Sequence, residues 1–186
     1  MRARAGLHLI AALALLCGCG EVATAASPAT AASPATDVAD PTPLQGGLAS
    51  LDATGQAVVA ALNARDAAGL ADLLISESDF KGRLFTSLAN HPNAIKMGPD
   101  LLWDMQRRQA ADELDRALAQ FGGQELRYVG LEPGQVEDGP VVRFHRRLAL
   151  IVDDRRGERR RLQILGSVVE HLPSGSFKLI TYRFRD

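Results

Sequence analysis

The chain has 186 residues, with 21 Lys and Arg against 22 Asp and Glu and a net charge of −1, so it is neither a polycation built for nucleic acid nor an acidic chain. Hydrophobic residues make up 46% and charged residues 23%, which excludes a disordered chain and a multi-span membrane protein and leaves room for one globular domain. Both cysteines, Cys17 and Cys19, fall near the start, so the body carries no thiol for a disulfide, a thiolate metal site or a cysteine nucleophile.

Arg2 and Arg4, followed by an apolar run over residues 7–16, read as an export signal. The run is shorter than the roughly 20 apolar residues a spanning helix needs. Directly behind it, Leu16, Cys17, Gly18 and Cys19 resemble the lipobox of bacterial lipoproteins, in which aliphatic and small residues precede the cysteine that is acylated and becomes the new N-terminus. The resemblance implies a signal peptide over 1–18, a lipid on Cys19 and a membrane-anchored place in the cell envelope. Gly20, where an aspartate would retain the protein at the inner membrane, implies the periplasmic face of the outer membrane. Two or three acyl chains, at about 0.8 kcal/mol per buried methylene, would make that anchor stable. The rival reading is ordinary signal-peptidase cleavage behind Ala23, Thr24 and Ala25, which would release a soluble secreted protein.

Residues 19–47 are rich in Ala, Thr, Ser and Pro, and the hexapeptide AASPAT at 25–30 repeats at 31–36. Pro28, Pro34, Pro41 and Pro43 disfavour helix and large apolar residues are nearly absent, so this segment is expected to be a semi-extended linker.

The globular domain is expected over 48–186. Leu51, Val58, Val59, Leu62, Leu70, Leu73 and Leu74 keep helical spacing, with a bend over 63–69 between two helical pieces. A turn-rich middle containing His91, Pro92, Asn93, Gly98 and Pro99 leads to a long helix over 99–121. Pro99 suits its first turn, Leu101, Leu102, Met105, Leu114, Leu118 and Phe121 mark its buried side, and Gly122 with Gly123 stops it. Beyond Gly123 the period becomes two. Strands are expected at 126–131, 142–152, 159–171 and 176–185, joined by turns at 153–157 and 172–175.

Helices first and an antiparallel meander last define an α+β class with helices covering a curved sheet. The opening helix with its Ala61-Leu62-Asn63-Ala64-Arg65-Asp66-Ala67-Ala68-Gly69-Leu70 bend, and the closing hairpins ending in Phe177, Lys178, Leu179 and Ile180, resemble the NTF2-like, or SnoaL-like, cystatin-like cone family. The resemblance implies a pocket between sheet and helices, acid-base chemistry by a pocket aspartate or histidine in some relatives, and homodimers through the sheet face.

Charge divides along the domain: residues 48–140 hold eight basic against fourteen acidic side chains, and 141–186 hold eleven against five. The arginines of the second part suit either a patch for an anionic lipid, glycan or acidic partner or a solvated strand face. Candidate pocket residues are Asp79, His91, Trp103, His145 and Tyr182. His145 alternates with apolar neighbours and so points away from the helix-covered face unless the sheet is covered on both sides. His91, His145 and His171 lack metal-ligand spacing, and no phosphate loop, nucleophile elbow or paired-carboxylate motif is visible, so no catalytic residue, metal or other cofactor is assigned.

The expectation is a non-enzymatic envelope lipoprotein whose domain binds a small apolar ligand, a lipid or a protein partner, with nucleic acid excluded by the envelope location. The alternative is an isomerase, dehydratase or hydrolase of the same fold using a pocket Asp or His.

Overall fold

The computed structural model describes residues 40–88 and 92–183, all within a unit that spans 38–186. Helix α1 (Leu51–Ala64) begins where the Ser50 hydroxyl accepts the Ala53 N–H and ends at Arg65, whose φ of 54° closes the last turn. Asp66 then caps α2 (Ala67–Asp72) by accepting the Gly69 N–H, so the bend expected over 63–69 is a sharp two-residue break between caps.

Ser76 caps α3 (Glu77–Asp79), which runs through a π-helical turn at Phe80–Leu84 into α4 (Phe85–Leu88). Helix α5 (Pro92–Phe121) is kinked at Gly98, whose φ of 71° and ψ of 167° belong to a region that only glycine occupies freely. The long helix therefore starts at Pro99 as expected, but residues on the other side of the kink are helical rather than turn.

Among the described residues seven strands form two antiparallel sheets: β1 (Arg127–Glu132), β2 (Gln135–Asp138), β3 (Val142–Arg146), β4 (Ala149–Asp153), β5 (Arg159–Leu162), β6 (Leu165–His171) and β7 (Ser176–Tyr182). One sheet has the order β1-β4-β5 and the other β2-β3-β6-β7. The fold is thus α+β, as the change of hydrophobic period implied. Two strands expected to be continuous are each divided. The stretch over 142–152 breaks at Arg147, where φ is 58°, and 159–171 breaks between β5 and β6, each break carrying the chain from one sheet to the other. Phe144, Leu148 and Leu150 keep the same parity across the first of these, with only Arg146 out of pattern, which is why period alone hides it.

Two hydrophobic cores result. The larger gathers Val58, Leu62, Leu70, Leu114, Leu150 and Val168; the smaller gathers Leu44, Ile75, Phe80, Leu84, Phe144 and Val169. Adjacent Val168 and Val169 face different cores, so the four-stranded sheet is covered on both faces. Each fully buried aliphatic or aromatic side chain contributes about 1.5–3 kcal/mol.

The inward stripe of α5 is half-buried Trp103 and Gln106 followed by buried Ala110, Leu114, Ala117 and Phe121, at spacings of three or four residues. Leu101 and Met105, expected inside, are 51% and 54% exposed. Leu114 and Phe121 are buried, and Leu102 and Leu118 partly so, as expected; small Ala110 and Ala117 let the helix approach closely, and weighting positions by side-chain size wrongly adds Leu101 and Met105. The packed unit also begins before residue 48. Leu44 is 2% exposed and its N–H donates to Ser176 Oγ at 2.9 Å, which straps this proline-rich segment onto the sheet. The outer edge of β7 is occupied by Leu48, bridged to Phe177, and by Leu74, bridged in parallel to Leu179.

Candidate functional site

The arginines of the C-terminal part meet the acids of the N-terminal part across the strands. Arg161 binds both carboxylate oxygens of Glu132 at 2.7 and 3.1 Å, and Arg143 Nε reaches Asp138. Asp153 is held by Arg159 at 2.7 Å and by Arg127. Arg159, then Arg127, keeps the Asp153 carboxyl below its ordinary range, and Arg161 does the same to Glu132. The charge division in the sequence is largely cancelled in space.

Against this neutralised background one cation is buried. Lys178, 4% exposed on β7, lies beneath the turn at Gln45 and Gly46. Its ammonium donates to the backbone carbonyl of Asp72 at the C-terminal end of α2, where the helix dipole favours a positive charge. That is its one hydrogen bond among the described residues, although an ammonium carries three donors. Burial pushes its pKa down, against the opposing pull of the Asp72 and Asp79 carboxylates.

Lys178 stands at the wall of a cleft of about 530 Å³. Leu73, Leu74 and Ile75 form one side, and Trp103 closes another with its ring 5.4 Å from that of Phe80. Gln45, Ser76 and Glu77 bring polar groups to the rim. The size falls within the usual range of small-molecule sites, and the lining is mixed, with Asp72 adding a further polar group to those at the rim.

Of the residues singled out in the sequence, Trp103 lines this cleft and Asp79 stands beside it. Asp79 is nevertheless engaged: Oδ2 accepts the Gln45 N–H at 2.8 Å and the Ser76 hydroxyl at 2.9 Å, and Arg83 lies 3.6 Å from Oδ1. It fastens the strap at 40–47 to α3. Tyr182 belongs to the large core, fully buried, with its hydroxyl donating to the Leu70 carbonyl at 2.8 Å and its pKa raised by burial.

His145 does point to the face opposite Phe144, but that face is covered too. Its Nε2 is 3.0 Å from Glu170 Oε2, its ring is 6.0 Å from that of Phe177, and it borders a separate pocket of about 160 Å³ with Leu51 and Leu131. Asp79 and His145 are therefore not brought together. His91 and Cys19 lie outside the described residues.

Lys178 was missed by sequence reasoning. The available signal was a charge between Phe177 and Leu179 in a strand with no polar face to carry it. His171, also buried, shares a hydrogen bond with Ser174 Oγ at 2.8 Å, and burial lowers its pKa. Among the described residues no group of three His, Cys, Asp or Glu side chains is placed to hold a metal ion, and no helix is long and apolar enough to cross a membrane. In comparisons with known proteins, no family model, curated protein or solved structure matches the chain.

Proposed function

We propose that this protein is an envelope lipoprotein of NTF2-like type, tethered through Cys19, whose domain binds a small elongated apolar ligand with an anionic or hydrogen-bond-accepting head, without catalysis. The observation that carries the binding reading is the 530 Å³ cleft of mixed lining, with Leu73, Leu74, Ile75 and Trp103 as its apolar part and the buried ammonium of Lys178, which makes one hydrogen bond among the described residues, at its wall. An accepting head group beside Lys178 would satisfy donors that burial has removed from water, while Trp103, Leu74 and Ile75 cover the apolar body. The helix pair α1–α2 and the antiparallel hairpins support the NTF2-like part of the reading, and the Leu16-Cys17-Gly18-Cys19 motif supports the lipid.

Trp103 is the sole tryptophan, so its fluorescence reports on the cleft without interference. Titrating the full-length chain with medium-chain carboxylates should give a saturable fluorescence change. Lys178→Met should weaken the carboxylate while leaving the neutral alcohol of equal length almost unchanged. A complete lack of saturable response across the chain-length series would defeat the binding reading. For the anchor, Cys19→Ala should abolish metabolic acyl labelling and partition into detergent; labelling that persists in the variant would refute lipidation at this residue.

A lysine whose burial favours the neutral amine also suits an imine-forming or general-base role, which gives the enzymatic alternative a residue other than Asp or His. Borohydride trapping of a small aldehyde on Lys178 would favour it, whereas recovery of unmodified chain supports binding alone.

A further inference from the structure

Another pocket, sharing no residue with the Lys178 cleft, opens at the bend between β3 and β4 and has a volume of about 240 Å³. At about 30 Å³ per water molecule this is space for roughly eight waters, more than a bare tetrahedral oxyanion fills. Its floor is the buried pair Leu148 and Leu165, and Arg147, Arg161 and Arg183 surround it.

The backbone holds this arrangement in place. Arg147 has a left-handed φ of 58°, uncommon for a residue with a side chain and a form of strain that clusters at binding sites. Gly134, in the β1–β2 connection, packs so closely over the bend that a Cβ there would lie 1.9 Å from the Arg146 carbonyl oxygen. Any other residue would push the connection off the pocket.

The charges are unbalanced here. Arg161 is matched by Glu132, but the guanidinium groups of Arg147 and Arg183 have no hydrogen-bonding or ion-pair partner among the described residues. Among the described residues no carboxylate lines the pocket. Two positive charges beyond the Arg161–Glu132 pair suit a dianion better than a single carboxylate, and planar guanidinium forks bind phosphate oxygens in pairs.

From this juxtaposition we propose that the pocket bounded by Arg147, Arg161 and Arg183 binds a phosphomonoester dianion, with Leu148 and Leu165 receiving the carbon skeleton attached to it. The phosphomonoester is either a free metabolite or the head group of a lipid, and both present the same oxygens to the same forks. The site is independent of the Lys178 cleft and of the lipid on Cys19.

The test uses the full-length chain and phenyl phosphate as probe, followed by titration calorimetry. Phenyl phosphate should bind saturably and more tightly than the monoanion phenyl sulfate. Arg147→Gln with Arg183→Gln should weaken it by about tenfold or more, as expected for lost charge-assisted contacts. Arg155→Gln with Arg156→Gln removes the same charge from the β4–β5 hairpin tip and should change affinity by less than about twofold, as a screened distant field would. Arg183→Gln alone gives a second readout that leaves the β3–β4 bend intact. Equal weakening by the two double variants, or no saturable binding of phenyl phosphate, overturns the proposal. Vesicles of phosphatidylcholine with and without phosphatidic acid separate the sources. Excess retention on phosphatidic acid that disappears in Arg147→Gln/Arg183→Gln identifies a lipid head group; excess that is absent or unchanged in that variant, with phenyl phosphate binding intact in the wild type, identifies a soluble phosphomonoester.

Discussion

Replacing Tyr182 by Phe tests whether this residue fastens the core. The Tyr182 hydroxyl is fully buried and donates to the Leu70 carbonyl at 2.8 Å, joining the last strand to α2 across 112 residues of sequence. Phenylalanine keeps the ring and nearly all the volume, so no cavity of consequence opens and the cost comes from the bond. Loss of the hydroxyl leaves a buried carbonyl without its donor, a penalty of about 1–3 kcal/mol. In a domain of this size each kcal/mol moves the midpoint by roughly 3 °C, so the melting temperature should fall by about 3–9 °C. Thermal and urea unfolding of the full-length chain, followed by circular dichroism, reads this directly. The urea midpoint should fall with an unchanged slope, because the surface exposed on unfolding is the same. Amide exchange in α2 should quicken, since that helix loses its tie to β7. A variant melting within about 1 °C of the wild type would refute the reasoning, as it would mean that the Leu70 carbonyl finds another partner at no cost.

Three further perturbations follow from the same geometry. Asn63 clamps the end of α1 to the start of β1, its amide donating to the Leu126 carbonyl and accepting the Leu126 N–H, both at 2.7 Å; Asn63→Ala should cost about 2 kcal/mol in urea unfolding, with Asn63→Asp in between. At Gly98 nothing lies within 4 Å of an added Cβ, so Gly98→Ala isolates backbone strain and should destabilise by about 1–3 kcal/mol by the same measurement. Lys178 has a folded-state pKa below its ordinary value near 10.5, so the unfolded chain binds more protons than the folded one between those two values. The Lys178 contribution to stability is therefore complete above the ordinary value and lost as pH falls through the lowered one. Wild-type stability relative to Lys178→Met should rise as pH is raised towards about 9.5, below the ordinary range of tyrosine titration; a flat difference would contradict the burial of this charge.

Much of the architecture was legible because local chemistry repeats along the chain. Pro99 and Gly122 with Gly123 bound the long helix, and the change from helical to twofold period beyond Gly123 marks where helices give way to sheet. Strand β2 gave no such signal, because Gln135, Val136, Glu137 and Asp138 are all exposed and leave no alternation. The site was less legible still. Trp103 and Asp79 come near the cleft, but Lys178 becomes notable only when β7 is seen to be covered on both faces and bridged along its outer edge.

By itself, the sequence determined the α+β class, the bounds of the long helix beyond Pro99, the repeat-bearing segment and the absence of cysteine from the body of the chain. Those are properties of neighbours in the chain, carried by backbone preference and periodicity. Tertiary structure alone decided that two apparent strands are four, that Leu44 straps the sheet while Leu101 faces water, and that opposite charges far apart in sequence meet in pairs. It also decided which cations stand at pockets without a carboxylate partner: Lys178 in the cleft, and Arg147 and Arg183 at the β3–β4 bend. The physical reason is that burial and ion pairing depend on what arrives from distant parts of the chain, and no local pattern records that arrival.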